Sequence, residues 1–256
     1  MDWSGAKVGA HQRIWLAHVH DGALITLRNG RSREAVIDDL VQLRVQCPNG
    51  LLVGLDFAFS LPLWFLREQG YATVADVWDG AAEEGEQWLA CCDPPFWGRP
   101  GRARPALPED LRRAEQRVAA TRVSPKSVFQ IHGAGTVGTG SIRGMPLLRR
   151  LRSAGFSIWP FDQPSPHSVV EIYPRLLTGP VHKRVATARA DYLAAAKWRL
   201  PPEFAQAMRD SEDAFDAGLS ALAMAEHEMG PAELVQATDA QTLLEGDIWP
   251  PFIIDP

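Results

Sequence analysis

Residues 51–57 read Leu-Leu-Val-Gly-Leu-Asp-Phe, a short unbroken apolar run set off from what precedes it by Pro48-Asn49-Gly50. A strand buried on both faces needs such a run, and its length suits a strand better than a helix. Asp56 stands near its end, where an unpaired buried carboxylate is costly, so a fold that keeps it there has a use for it. Upstream, Arg13–His20 is rich in β-formers, Asp21-Gly22 is a hairpin signal, and Ala23–Leu27 is a second strand. Ser32 caps a helix predicted to run to about Gln46, with Val36, Ile37, Leu40, Val41 and Leu43 at helical spacing. Strands, a helix and a buried strand in that order predict an α/β sheet with mixed pairing.

The middle of the chain is less regular. Cys91–Pro108 is dense in proline and glycine and reads as loop. Glu109–Arg122 is predicted to be an Arg-rich helix and Ser124–Gln130 an extended segment, followed by a glycine-rich loop over 133–140. Pro146 is expected to open a basic helix to about Ala154. Phe156–Pro160 and Ser168–Tyr173 read as strands, and helices are predicted from about Arg184 to Lys197 and from about Glu212 to Met229. The whole chain, 1–256, is read as one domain with a Pro/Arg/Gly-rich insertion around 91–145.

Composition excludes several classes. Apolar residues make up 46% and charged residues 22%, which is globular rather than disordered. No apolar stretch is long enough to span a bilayer, so no membrane partner is expected. An acid at position 2 with no apolar segment behind it, and three cysteines that fit neither a disulfide framework nor a zinc pattern, lead to a cytoplasmic expectation. The net charge of −5 conceals a polarity: Arg99–Arg152 holds 12 Arg and Lys against 3 acids, whereas Pro201–Pro256 holds 12 acids against Arg209 alone. The basic segment is a candidate nucleic-acid surface, with Arg113 and Arg117 on one helix face; the alternative is that the two segments attract each other.

Acids in strand-end and helical positions carry the chemistry. Asp2 precedes Trp3-Ser4-Gly5, Asp56 ends the buried run, and Glu171 precedes Ile172-Tyr173-Pro174. Asp213 and Asp216 are spaced i, i+3 and share one helix face. Carboxylates converging without a matching cationic cluster repel unless a hard divalent cation lies among them, and Mg2+ or Mn2+ favours such oxygen ligands.

Asp2-Trp3-Ser4-Gly5-Ala6-Lys7, Gly54-Leu55-Asp56 before Pro62, Lys126-Ser127-Val128-Phe129-Gln130, the 133–140 loop, Glu171-Ile172-Tyr173-Pro174, Asp213-Ala214-Phe215-Asp216-Ala217 and Glu245-Gly246-Asp247-Ile248 follow one another in a familiar order. In this the chain resembles the uncharacterised RNase H-like family described as predicted nucleases (domain of unknown function number four-twenty-nine), over nearly its whole length. The resemblance implies an RNase H-like mixed five-stranded sheet flanked by helices, with Asp2 on the first strand, Asp56 on the fourth, and Asp213 and Asp216 as a late-helix pair. It implies that Asp2, Asp56, Glu171, Asp213 and Asp216 bind Mg2+ or Mn2+ for two-metal phosphodiester hydrolysis. Only Met1 precedes Asp2, so the first strand is expected either to lie mostly after Asp2 or to need residues ahead of Met1. Lys126, His132 and Arg143 are candidates for neutralising phosphate charge or moving a proton, with Gly135 and Gly138 of the glycine-rich loop against the substrate.

Two other classes compete. An actin-like or sugar-kinase-like nucleotide-binding protein would use Asp2–Gly5 and the 133–140 loop as phosphate loops, but Asp56 is followed by Phe57-Ala58-Phe59 rather than by Gly and Thr. A non-catalytic RNase H-like binding module would use exposed tryptophans, Trp97 and Trp249 being the candidates.

Overall fold

A two-residue turn at Asp21-Gly22, both residues at positive φ (48° and 73°), closes an antiparallel hairpin of β1 (Leu16–His20) and β2 (Ala23–Arg28). This is the geometry a type I′ turn demands and the reason Asp-Gly stands there. The computed structural model describes residues 1–250, leaving out Arg122, Ala134, Pro180, Glu228 and Ala232. After the hairpin come α1 (Arg33–Gln46), β3 (Leu51–Leu55), α2 (Leu63–Glu68), α3 (Val74–Cys91), α4 (Arg113–Ala120) and α5 (Gly138–Ser153). The chain continues through β4 (Ser157–Ile158), β5 (His167–Ile172), α6 (Pro174–Thr178), α7 (Ala186–Ala195) and α8 (Pro202–Asp210). It closes with α9 (Glu212–Glu226), α10 (Thr242–Glu245) and β6 (Ile248–Trp249). The protein is of the α/β class.

The expected single sheet is divided in two. One is the β1–β2 hairpin; in the other β5 pairs in parallel with β3 on one side and with β4 and then β6 along the other. Met1 and Asp2 connect them. The Met1 ammonium donates to Gly54 O (2.9 Å), Asp56 N–H donates to Met1 O (3.3 Å), and Asp2 makes a two-bond antiparallel bridge with Trp15. The extended segment around Asp2 is therefore only these two residues; it does not lie after Asp2, where the chain turns through a 3₁₀ turn at Ala10–Gln12. Beyond Met1 the facing edges of β1 and β3 flank a groove of about 220 Å³, walled by α1 and α9.

Strand alternation sorts the two faces. Val53 and Leu55 point into a core shared with Ile37 and Leu40 of α1, Trp78 of α3 and Leu148 of α5. Trp78 is fully buried and satisfied, its indole N–H donating to Phe59 O at 2.9 Å. Gly54 points the other way, toward α9: a Cβ there would lie 2.6 Å from Met224 Sδ. On that side Phe215, Leu219 and Leu222 of α9 pack with Leu24 and Leu27 of β2 and Met208 of α8.

Several expected elements are moved. α4 begins at Arg113, not Glu109, and Arg122 of the predicted helix lies outside the described residues. Ser124–Gln130 forms no strand beyond one bridge between Gln130 and Trp97. Gly138–Gly140 is the first turn of α5 rather than loop, and Pro146 sits inside that helix instead of opening it. Positions 138–145 of the expected insertion are thus core helix, with Ile142 and Met145 buried. α3 was not foreseen, although Thr73 and Asp76 form its capping box. Among the described residues no helix is long and apolar enough to cross a membrane.

Candidate functional site

Asp56 follows Leu55 at the carboxyl end of β3, and alternation gives it the face of Gly54, toward α9. Ser211 caps α9, its Oγ accepting from Ala214 N–H at 3.2 Å, and this fixes the helix register. Residues 216, 220 and 224 then lie along one stripe, so Met224 meets Gly54 while Asp216 meets Asp56. Asp2, held between β3 and Trp15, completes the group, and Asp213 stands one turn earlier on α9 at its margin. Four of the five predicted acids are brought to one end of the sheet.

Their electrostatics follow from the enclosure. Asp56 is pushed up to about 7, first by burial and then by the charge of Asp216. Asp2 is raised well above the ordinary range by burial, with Asp56, Asp213 and Asp216 adding to it. Burial also raises Asp216, opposed by Lys183, and raises Asp213. Asp216 is 1% exposed: Oδ2 accepts from Lys183 Nζ, while Oδ1 has no partner among the described residues. Burial works against the charge of Lys183, but Asp216, Asp56 and Asp2 outweigh it and hold its pKa above the usual lysine value. Sequence reasoning missed Lys183, and nothing in His182-Lys183-Arg184 singles it out.

The carboxylates stand between two cavities. One, of about 690 Å³, is lined by Asp56, Asp216, Lys183, Tyr173 and Arg175. The other, of about 740 Å³, is lined by Asp2 and Asp213 together with Lys7, Arg13, Arg99, His132 and Arg143. His132 and Arg143 are therefore near the acids, on the Asp2 side. Lys126 reaches the Asp56 side, lining a small recess of about 40 Å³ with Asp56 and Tyr173.

Glu171 lines the small recess with Asp56 and its charge adds to the rise of Asp56, but its carboxylate is engaged away from the other four. It is the register partner of Leu55, so it points to the opposite face from Asp56. There its carboxylate is engaged by the fully buried Arg112, which also binds Glu115, and by Phe59 N–H at 2.8 Å. Burial lifts Glu171 to about 7 against the pull of Arg112. A buried arginine holding two carboxylates is a structural tie between α4, β5 and the turn after β3.

Nor does the basic segment form an open rim. Arg113 pairs with Asp239 (2.5 Å) and Thr242, and Arg117 pairs with Asp247. Arg102, Arg104, Arg143, Arg149, Arg150 and Arg152 each have an acidic partner as well. Gly135 is exposed beside the Lys126 stem. Gly138 is a steric requirement: a Cβ would come within 2.1 Å of Val128 O, and its N–H donates to Gln130 O (3.2 Å). Trp249 is fully buried and Trp97 half-buried, so neither is an open stacking platform. Ala134 of the glycine-rich loop lies outside the described residues.

No family model, curated protein or solved structure matches the chain. Among the described residues no three His, Cys, Asp or Glu side chains are arranged to hold a metal ion as they stand. The donor set nevertheless suits a hard cation: it is all carboxylate oxygen, and one buried oxygen, Asp216 Oδ1, lacks a partner among the described residues.

Proposed function

We propose that the protein is a metal-dependent phosphodiester hydrolase of RNase H-like fold, in keeping with the predicted-nuclease family it resembles. Strand order supports the fold: β2, β1, the Met1–Asp2 segment, β3 and β5 lie side by side, with the first pairings antiparallel and the later ones parallel. The observation that carries the function is the buried Asp216 Oδ1, unpartnered among the described residues, beside Asp56 and Asp2, three carboxylates that face Lys183 and the Met1 ammonium.

Asp2, Asp56 and Asp216 would hold Mg2+ or Mn2+, with Asp213 at the margin. Bound divalent ions supply a water of lowered pKa and charge neutralisation at the phosphoryl oxygens. Lys183 keeps positive charge at the mouth of the Asp56 cavity, where a phosphate oxygen would enter. In the metal-free protein Asp56 holds a proton up to about pH 7, and binding of a divalent ion would displace it. Glu171 would act from its place beside Arg112, holding the framework and adding to the rise of Asp56.

The test is hydrolysis of bis(p-nitrophenyl) phosphate and of labelled DNA and RNA in Mn2+. Turnover is expected in the wild type and is expected to vanish in Asp56→Asn and Asp216→Asn while the fold is kept. Turnover that persists in EDTA or in Asp216→Asn overturns the proposal.

A further inference from the structure

The cavity on the Asp2 side has features that the carboxylates do not explain. Its floor is the N-terminus of the 16-residue α5, which has no side-chain cap and no acid in its first turn. The first-turn N–H groups of a helix have no intrahelical acceptor and carry the positive end of the helix dipole; here Gln130 O takes that of Gly138 (3.2 Å), which leaves those of Thr139 and Gly140. The Ser4–Lys7 loop lies directly on this turn, for a Cβ on Gly5 would come within 2.4 Å of Gly140 N. The loop's carbonyls are drawn off by arginines: Arg33 takes those of Ser4 (2.7 Å) and Ala6 (2.6 Å), and Arg143 takes that of Gly5. Trp3 is 8% exposed, its indole N–H has no acceptor among the described residues, and its Cδ1 edge lies 3.6 Å from the Cβ position of Gly140; both residues line the cavity. Lys7, Arg13, Arg99 and Arg143 line the same cavity, Lys7 and Arg143 pairing with Glu86 and Arg99 donating to Ala90 O (3.0 Å). Arg13 is exposed and has no ion pair or side-chain hydrogen bond among the described residues.

We infer that this cavity is a phosphate-binding site, built by the Ser4–Lys7 loop and the N-terminus of α5 with Arg13 as its open cation. Unmet N–H donors, a helix N-terminus and a guanidinium that can donate two parallel bonds together select a tetrahedral oxyanion. Asp2 and Asp213 line the same cavity, so the bound phosphate neighbours the carboxylates. That it is the phosphate next to the one hydrolysed rests on the hydrolase reading; phosphate binding itself does not.

The test is calorimetric titration of the full chain with inorganic phosphate in EDTA at low ionic strength. Wild type is expected to bind. Arg13→Glu and Gly140→Asp are each expected to weaken binding at least tenfold. The second variant sets a carboxylate at the third helical position, where it satisfies the N–H groups from within, and its Cβ meets only ordinary contacts of 3.6 Å or more. Both variants are expected to keep the wild-type melting temperature or, for Gly140→Asp, to exceed it. Competition by dimethyl phosphate assigns the site to a diester backbone, and competition by methyl phosphate alone assigns it to a terminal phosphate. No binding by wild type, or undiminished binding in both variants, overturns the inference. Manganese titration separates the two claims: phosphate binding without manganese binding keeps this site and removes the hydrolase reading, and the reverse outcome removes this site.

Discussion

Asp56→Asn should stabilise the metal-free protein, and only above a definite pH. In the unfolded chain this carboxyl ionises near 3.8; in the fold it keeps its proton to about 7, because of burial and the Asp216 charge. Between those values the unfolded chain has given up a proton that the folded chain retains, so ionisation favours unfolding. Stability therefore falls as pH rises from about 4 to about 7 and levels off above. At about 1.4 kcal/mol for each tenfold in proton affinity, the full displacement corresponds to roughly 4 kcal/mol. Asp56 keeps a partly exposed edge on its cavity, and solvent screening there reduces the figure to about 2–3 kcal/mol. Asparagine has the same shape and no charge to lose. Urea denaturation followed by circular dichroism from pH 4 to pH 8.5 in EDTA should give curves that coincide near pH 4. They should separate to about 2–3 kcal/mol in favour of the variant at pH 8. Saturating Mn2+ should close the gap by stabilising the wild type alone. Parallel curves at all pH values, or a variant less stable at pH 8, would refute the electrostatic account of the site.

Other perturbations separate site from scaffold. Arg112→Met leaves Glu115 and Glu171 buried without their cation and should cost about 3–5 kcal/mol in the same assay. Arg113→Ala with Arg117→Ala removes the ties to Asp239 and Asp247 and should cost about 1–2 kcal/mol. The salt dependence of any nucleic-acid binding, measured by anisotropy, should stay unchanged in that double variant. Lys183→Met should tighten Mn2+ binding, measured by calorimetry, because the ammonium bonded to Asp216 is gone.

Local chemistry made part of this fold legible. The Asp21-Gly22 turn, the Ser32 cap of α1 (Oγ accepting from Ala35 N–H at 3.2 Å) and the apolar run of β3 all act within a few residues of where they are read. The Thr73–Asp76 capping box was equally local, and reading it would have found α3. α5 was obscured because its glycines look like loop. Gly138 and Gly144 are there because Val128 O and the Phe57 ring approach too closely for a Cβ, which only the tertiary structure shows. Among the acids, Asp56 and Asp216 were legible from strand end and helix depth. Glu171 was not, because its role depends on which face of β5 it takes and on Arg112, 59 residues away. The charge of 99–152 misled for a similar reason, since its arginines find acids from Asp38 to Asp247 once the chain is folded.

The central claim, that the carboxylates around Asp216 form a divalent-cation site, is tested most directly by calorimetric titration of the metal-free protein with Mn2+ in buffers of different ionisation heat at pH 6.5. Wild type is expected to bind with release of protons, since Asp56, raised to about 7, holds one at that pH, and Asp216→Asn is expected to lose the binding with its fold intact. Absence of Mn2+ binding by the wild type, or binding of undiminished strength in Asp216→Asn, would contradict the account.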